Sequence, residues 1–318
     1  MSRRDPGKPH HLRDARQTHL LVIVNLKARL YFDCHDSGEI DETAAAGIDC
    51  YFKRSYKRQL VADRLKDKVF PLGLNYELHS PASDAFSRER TAVFGRKFIG
   101  SRLPGFRPTV EEMHCDPADV VPRVLFIARA WDPFDDAERP PDKISERISL
   151  NSTRARCIKL LRREFGDRFL GGFVHTDYAT SNFKEELLPD NAVSAKQNYV
   201  RLLREYPICV ATTGLHGSIG WKMAEYVAFS RAIVSERLNY EAPGDLGAPA
   251  NYLEFDDPEA CVTAVHRLFS DAAFRYRMME NNRLYYLTYL KPDRLVRRCL
   301  DIGLSRTEAG IQMSRCQA

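Results

Sequence analysis

Short apolar runs alternate along this chain with stretches in which apolar residues return every three or four positions. The runs lie at 20–25, 30–33, 49–53, 69–72, 123–128, 169–174, 208–211, 232–235 and 252–255. All have the length of strands. Those at 123–128, 208–211 and 232–235 lack in–out alternation, as strands buried on both faces of a parallel sheet do. Helical spacing predicts a basic amphipathic helix over 54–66. It also predicts helices over 153–165, with Cys157, Ile158 and Leu161 inward, and over 195–206, with Tyr199, Leu202 and Leu203 inward. A helix over 221–230 buries Met223, Ala224, Val227 and Ala228. Asp257 with Pro258 starts a helix to 269, Ser270 caps one to about 289, and a basic helix spans 292–300. Strand–helix alternation of this kind predicts a doubly wound α/β fold.

Two parts are expected. Residues 1–19 are polar and basic, with Arg3, Arg4, Lys8, Arg13 and Arg16, and have nothing to bury, so they read as a mobile tail. Residues 20–118 form a first α/β domain. Prolines 81, 104, 108, 117 and 122 break the pattern over 80–121, where a linker belongs. Residues 119–303 form a second domain, and 304–318 a tail.

The second domain is organised around 206–236, read as strand, glycine loop, helix, strand. Gly214, Gly217 and Gly220 punctuate the loop. A helix starts there, and its unpaired N–H groups and dipole favour an anion. Lys222 sits in the first turn, where the dipole disfavours a cation, and Glu225 follows three residues on, on the same face. A solvated Lys–Glu pair is the commoner reading on helices at large. The glycines favour the other: a lysine aimed at phosphate and a carboxylate aimed at sugar hydroxyls. Earlier in the chain, Asp33, His35, Asp36 and Ser37 cluster after the 30–33 strand, at the end where open parallel sheets place ligands. A polar turn with Asx capping explains that cluster equally well.

Composition narrows the classes. The chain has 318 residues, 44% hydrophobic, with a formal charge of +5. That mild excess suits an anionic small molecule or a loose contact with a membrane surface, and it does not require nucleic acid. Eight cysteines stand singly, with no CxxC, so zinc and redox spacings are missing. Several lie in apolar runs, as reduced thiols do in cytosolic proteins. No apolar stretch approaches the ~20 residues of a membrane span. These features predict a cytoplasmic protein. There is no HExxH and no DxD, so no resident metal is expected. TGLHGSIG (213–220) departs from the GxGxxG dinucleotide fingerprint and has no YxxxK partner, so nicotinamide has no support.

KMAEYVAFSRAIVSE (222–236) resembles the KxxEYLAxGxPVV segment of the group 1 glycosyltransferases of GT-B fold, at Lys222, Glu225, Tyr226 and Ala228. RVLFIAR resembles their strand ending in a phosphate-binding arginine, here Arg129. YFDCHDS looks like their HD loop, and 48–77 resembles the stretch before their interdomain linker. The resemblance implies two Rossmann-like domains and a nucleotide-sugar donor. The diphosphate would lie on Gly217, Ser218, Gly220, Lys222 and Arg129, and the ribose on Glu225. His35, with Asp36, would face the sugar as the catalytic pair. No cofactor is implied beyond the nucleotide-sugar co-substrate; the acceptor (glycan, lipid or protein) is open.

Three departures qualify this. Gly217 stands where the family often has a glutamate contacting the donor sugar. The lysine that often follows the phosphate arginine in the family has no clear counterpart after Arg129, and Lys222 would substitute. The HD loop comes early, so the first domain is expected to be short or incomplete and to leave a sheet edge or apolar face exposed. The expected function is metal-independent glycosyl transfer from a nucleotide-sugar. Two alternatives are a non-catalytic nucleotide- or sugar-binding protein on the same scaffold and a basic nucleic-acid-binding protein.

Overall fold

The computed structural model describes residues 18–79, 106, 108–118 and 120–316, with side chains to 306. The basic tail expected before residue 18 and most of the expected linker lie outside the described residues. The rest folds as a mixed α/β structure with two sheets.

The first sheet has order β1-β2-β3-β4: β1 His19–Val24, β2 Ala28–Asp33, β3 Cys50–Lys53 and β4 Val69–Pro71. β2, β3 and β4 are parallel, as expected, but β1 joins β2 antiparallel. The reason is local. Only 25–27 connect them, too few for a crossover. Asn25 (φ 52°) and Leu26 (φ 56°) take the left-handed conformation that a tight hairpin turn demands. β1 is an edge strand, with Leu20, Leu21 and Ile23 exposed.

The two faces of this sheet bury alternate residues. Leu30, Cys50, Phe52 and Leu72 face one way; Tyr51 and Val69 face the other, packing with Ala45 of the short helix α1 (Glu42–Ala46). The helix expected over 54–66 is not there. Two single 3₁₀ turns, Arg58–Leu60 and Asp63–Leu65, replace it. Arg54, Ser55 and Tyr56 turn inward instead, and their backbone bonds go to tertiary partners: Arg54 N–H to Asp33 O at 2.9 Å, and Glu241 N–H to Tyr56 O at 2.8 Å. Those bonds replace helical ones.

The second sheet is wholly parallel, in order β6-β5-β7-β8-β9: β5 Val124–Ala128, β6 Phe169–Phe173, β7 Ile208–Ala211, β8 Ala232–Glu236 and β9 Leu253–Phe255. One face packs Val124, Phe126, Val210 and Val234 on α2 (Pro141–Phe165) and α6 (Pro258–Ser270). The other packs Leu125, Ile127, Cys209 and Ile233 on α4 (Lys196–Glu205) and α5 (Trp221–Ala228). Between them in sequence is the short α3 (Asp177–Asn182). α2 starts twelve residues before the helix expected from 153. Asp257 caps α6 by accepting the Ala260 N–H at 2.7 Å, as its sequence predicts. α7 (Ala272–Tyr285) is capped by Asp271 rather than Ser270 and ends in a π-turn, Tyr286–Leu290.

The last helix, α8 (Pro292–Cys316), runs well past residue 300 and crosses back to the first sheet. Cys299 is buried with Leu30 and Phe52, and Arg298 Nη2 donates to Pro71 O at 2.6 Å and Leu72 O at 2.9 Å. A Cβ on Gly303 would strike Leu30, so glycine lets the helix approach that closely.

Candidate functional site

The order of the second sheet makes a switch point between β5 and β7, because the chain leaves β5 outward to β6 and returns to β7. Clefts beyond the carboxyl ends at such points are where open α/β sheets take ligands. Arg129 follows β5 and the 212–220 loop follows β7, so both sequence candidates border this point. Arg129 is exposed, with its guanidinium 4.7 Å over the Trp131 ring.

Arg154, on α2, ties the two strand ends together. It donates to Arg129 O at 2.7 Å, Thr212 Oγ1 at 2.9 Å and Thr213 O at 2.8 Å. It is buried, and burial lowers its pKa to about 10, so it stays charged at neutral pH. Glu236 accepts from the Thr213 N–H at 2.6 Å and its hydroxyl at 2.9 Å, pinning the loop from β8. Sequence reading missed Arg154. The signal was its place in the stripe Asn151, Arg154, Ile158, Leu161 and Phe165, all buried along one face of α2.

Inside the loop, Gly217 has φ +62° and its carbonyl accepts from Asn239 Nδ2 at 3.3 Å. His216 shares that left-handed conformation, and its N–H donates to Glu146 Oε1 at 2.5 Å. Ser218 is buried, and its carbonyl accepts the Gly214 N–H at 2.7 Å. Gly220 is the N-cap of α5 and brings no side-chain acceptor to the helix start.

Lys222 and Glu225 do not form the ion pair considered from the sequence. Glu225 is buried; its Oε1 accepts from Lys196 Nζ at 2.7 Å and its Oε2 from Tyr199 OH at 2.8 Å. Lys222, partly buried, sets its ammonium 4.2 Å over the Tyr199 ring. Burial lowers its pKa, Glu225 works the other way, and Lys196 and Arg154 add repulsion. The frame of the loop is thus held by Arg154 and by the carboxylates of Glu236 and Glu146.

The first sheet meets this loop from the other side. Asp33 and Lys53 are register partners at the ends of β2 and β3 and form a buried ion pair at 2.8 Å. Tyr51 OH also donates to Asp33. Beyond them, Arg54 Nη1 pairs with Asp36 and Nη2 donates to Ile219 O at 2.7 Å. Asp36 is therefore tied to the glycine loop through Arg54. His35 is not: its exposed ring hydrogen-bonds Thr18 Oγ1 at 2.6 Å, towards β1. A narrow cleft remains between the sheets, lined by Arg54, Ser55, Leu74, Asn75, Ile219 and Gly220 among others. Among the described residues no group of His, Cys, Asp or Glu is arranged to hold a metal ion, and no helix is long and apolar enough to cross a membrane.

No protein-family model matches the chain, and the search of curated proteins gives no match. Solved structures of similar backbone course include glycosyltransferases and a putative UDP-N-acetylglucosamine 2-epimerase from Listeria monocytogenes. A glycosyltransferase from Rickettsia africae is 12% identical at TM-score 0.49, over 87% of this chain and 70% of that one. The C-terminal domain of a group 1 family glycosyl transferase (LpcC) from Francisella tularensis is 12% identical at TM-score 0.40, over 57% of this chain and 98% of that domain. TarM is 11% identical at TM-score 0.42, over 84% of this chain; the match spans 47% of TarM.

Proposed function

We propose that this chain binds a nucleotide-sugar and transfers its sugar to an acceptor without a metal ion. The observation that carries this reading is the switch point. Arg129 follows β5, the loop into the amino end of α5 follows β7, and Lys222 lies in the first turn of α5, so the sequence order of these elements supports a shared anion site at the carboxyl edge of the parallel sheet. A departing diphosphate needs positive charge fixed in advance, and two cations with a helix amino end supply it where other enzymes use a metal. Glu225 keeps lone pairs beyond those given to Lys196 and Tyr199 and offers them to ribose hydroxyls. Asp36 approaches from the first sheet.

A second reading has its own support. Glu225 is already bonded by Lys196 and Tyr199, and Gly217 offers no carboxylate to the sugar. Both fit a protein that binds a nucleotide or sugar without turning it over. A thermal-shift screen against UDP-, GDP-, ADP- and CMP-sugars tests binding, since a ligand at ~100 times its Kd adds roughly 2.7 kcal/mol. Product release from a labelled donor then separates the two readings. No shift with any of the four would reject both.

A further inference from the structure

The cleft between the two sheets holds a polar group that nothing satisfies. Ser55 is 2% exposed and its Oγ has no hydrogen-bond partner, although a buried hydroxyl is normally paired. It lines the cleft beside Arg54, and across from it stands Gly220, the N-cap of α5. That cap has no side chain; the Met223 N–H turns back to the Gly220 carbonyl at 3.0 Å, and the Trp221 and Lys222 N–H groups are the ones left for an anion. Arg54 spends two N–H bonds on Asp36 and Ile219 O, and its guanidinium has others to give. Glu241 also lines the cleft, but its Oε1 is engaged by the Arg58 N–H at 2.9 Å.

We propose that Arg54 and Ser55 complete a phosphate site from the first sheet, so that a phosphate or diphosphate on the amino end of α5 is held from both walls of the cleft. This rests on the nucleotide-sugar reading and adds to it the residues on the opposite wall. The chemistry is that of a charged oxygen: a neutral hydroxyl donor, a planar guanidinium and the N-cap of a helix line one cleft, beside the apolar Leu74, Ile219 and Ala242. The Ser55 hydroxyl, which no described protein group engages, is then a donor to that anion.

The probe is inorganic pyrophosphate, titrated calorimetrically into the whole chain. Wild type should bind it saturably. Ser55→Ala should weaken binding by about 3- to 10-fold, the range for one neutral hydrogen bond, and Arg54→Lys by about tenfold or more. The unfolding midpoint of unliganded Ser55→Ala should stay equal or rise, because the hydroxyl has no partner to lose. A purely structural serine would show the opposite on both counts. Equal pyrophosphate affinity in wild type and Ser55→Ala overturns the proposal, as does no binding to wild type. Nucleoside diphosphate binding is measured alongside. If it occurs and is untouched by both substitutions, this inference fails while the nucleotide-sugar reading survives. If pyrophosphate depends on Arg54 and Ser55 yet no nucleoside diphosphate binds, the anion site stands and the nucleotide-sugar reading falls.

Discussion

Nη2 of Arg54 donates to the carbonyl of Ile219 at 2.7 Å, joining residues 165 positions apart. The bond sets the turn after β3 against the loop after β7, so the carboxyl edges of both sheets face one cleft. Arg54 is buried, and burial lowers its pKa to about 10, which leaves it charged at neutral pH. A buried charge needs compensation, and Asp36 with the Ile219 carbonyl provides it.

This makes Asp36 and His35 separable. Asp36→Ala removes the carboxylate partner of a buried guanidinium and should lower stability by about 1–3 kcal/mol. It should also impair turnover with any donor the chain accepts. His35→Ala breaks only an exposed bond to Thr18 and should shift stability by less than about 0.5 kcal/mol. Denaturation of the two variants side by side reads this directly. Equal losses would mean that the Asp36–Arg54 bridge contributes nothing.

The second sheet was legible because its strands are uniform apolar runs and its helices carry inward stripes; β7, at Ile208–Ala211, lies where the run places it. The first turns of α2 were not, because Pro141 to Asn151 is mostly polar and its apolar Ile144, Ile148 and Leu150 are too few to mark an inward face. The segment after β3 misled for the reverse reason. Its basic and apolar spacing fits a helix, but Arg54, Ser55 and Tyr56 find better partners across the fold. At the site, local pattern disclosed the glycine loop, Lys222 and Glu225. It could not disclose Arg54, Lys196 or Arg154, whose partners lie 165, 29 and 58 residues away.

The Asp33–Lys53 pair is a buried ion pair of the first sheet. Lys53 is 1% exposed and Asp33 4%. Asp33→Asn strands the ammonium and weakens the Tyr51 and His35 bonds to the same carboxylate. Removing one partner of a buried pair costs about 3–5 kcal/mol. The denaturant midpoint should fall accordingly. The double change Asp33→Leu with Lys53→Met should recover part of the loss, and a double variant no better than Asp33→Asn would count against the charge argument.

Gly303 gives a test of how α8 covers the first sheet. Alanine is the better helix former by about 1 kcal/mol. Its Cβ, however, would strike Leu30, which is fully buried, and overpacking costs about 1–3 kcal/mol. The expected result is a lowered denaturant midpoint with the slope unchanged. A raised midpoint would show that the helix does not pack there.

Lys222 should trade stability against binding. Its pKa is lowered, first by burial, from the usual lysine value of about 10.5. The unfolded chain therefore holds the proton to higher pH than the folded one does. Below the lowered value both states are charged, and the folded state carries the whole desolvation cost. Between that value and about 10.5 the unfolded state binds more protons, so stability rises with pH through this window. Lys222→Met removes the cost and should leave the empty protein as stable as wild type, or more so. An anion bound at the amino end of α5 reverses the balance, because it favours the ammonium. Binding of a nucleoside diphosphate should then take up protons within the window, and affinity should fall as pH rises through it. Lys222→Met should weaken binding by about 1.5–3 kcal/mol and flatten that pH dependence. Calorimetry in buffers of different ionisation heat measures both. If the methionine variant is destabilised, or binds as tightly as wild type with the same proton uptake, Lys222 is a surface lysine resting on Tyr199 and nothing more.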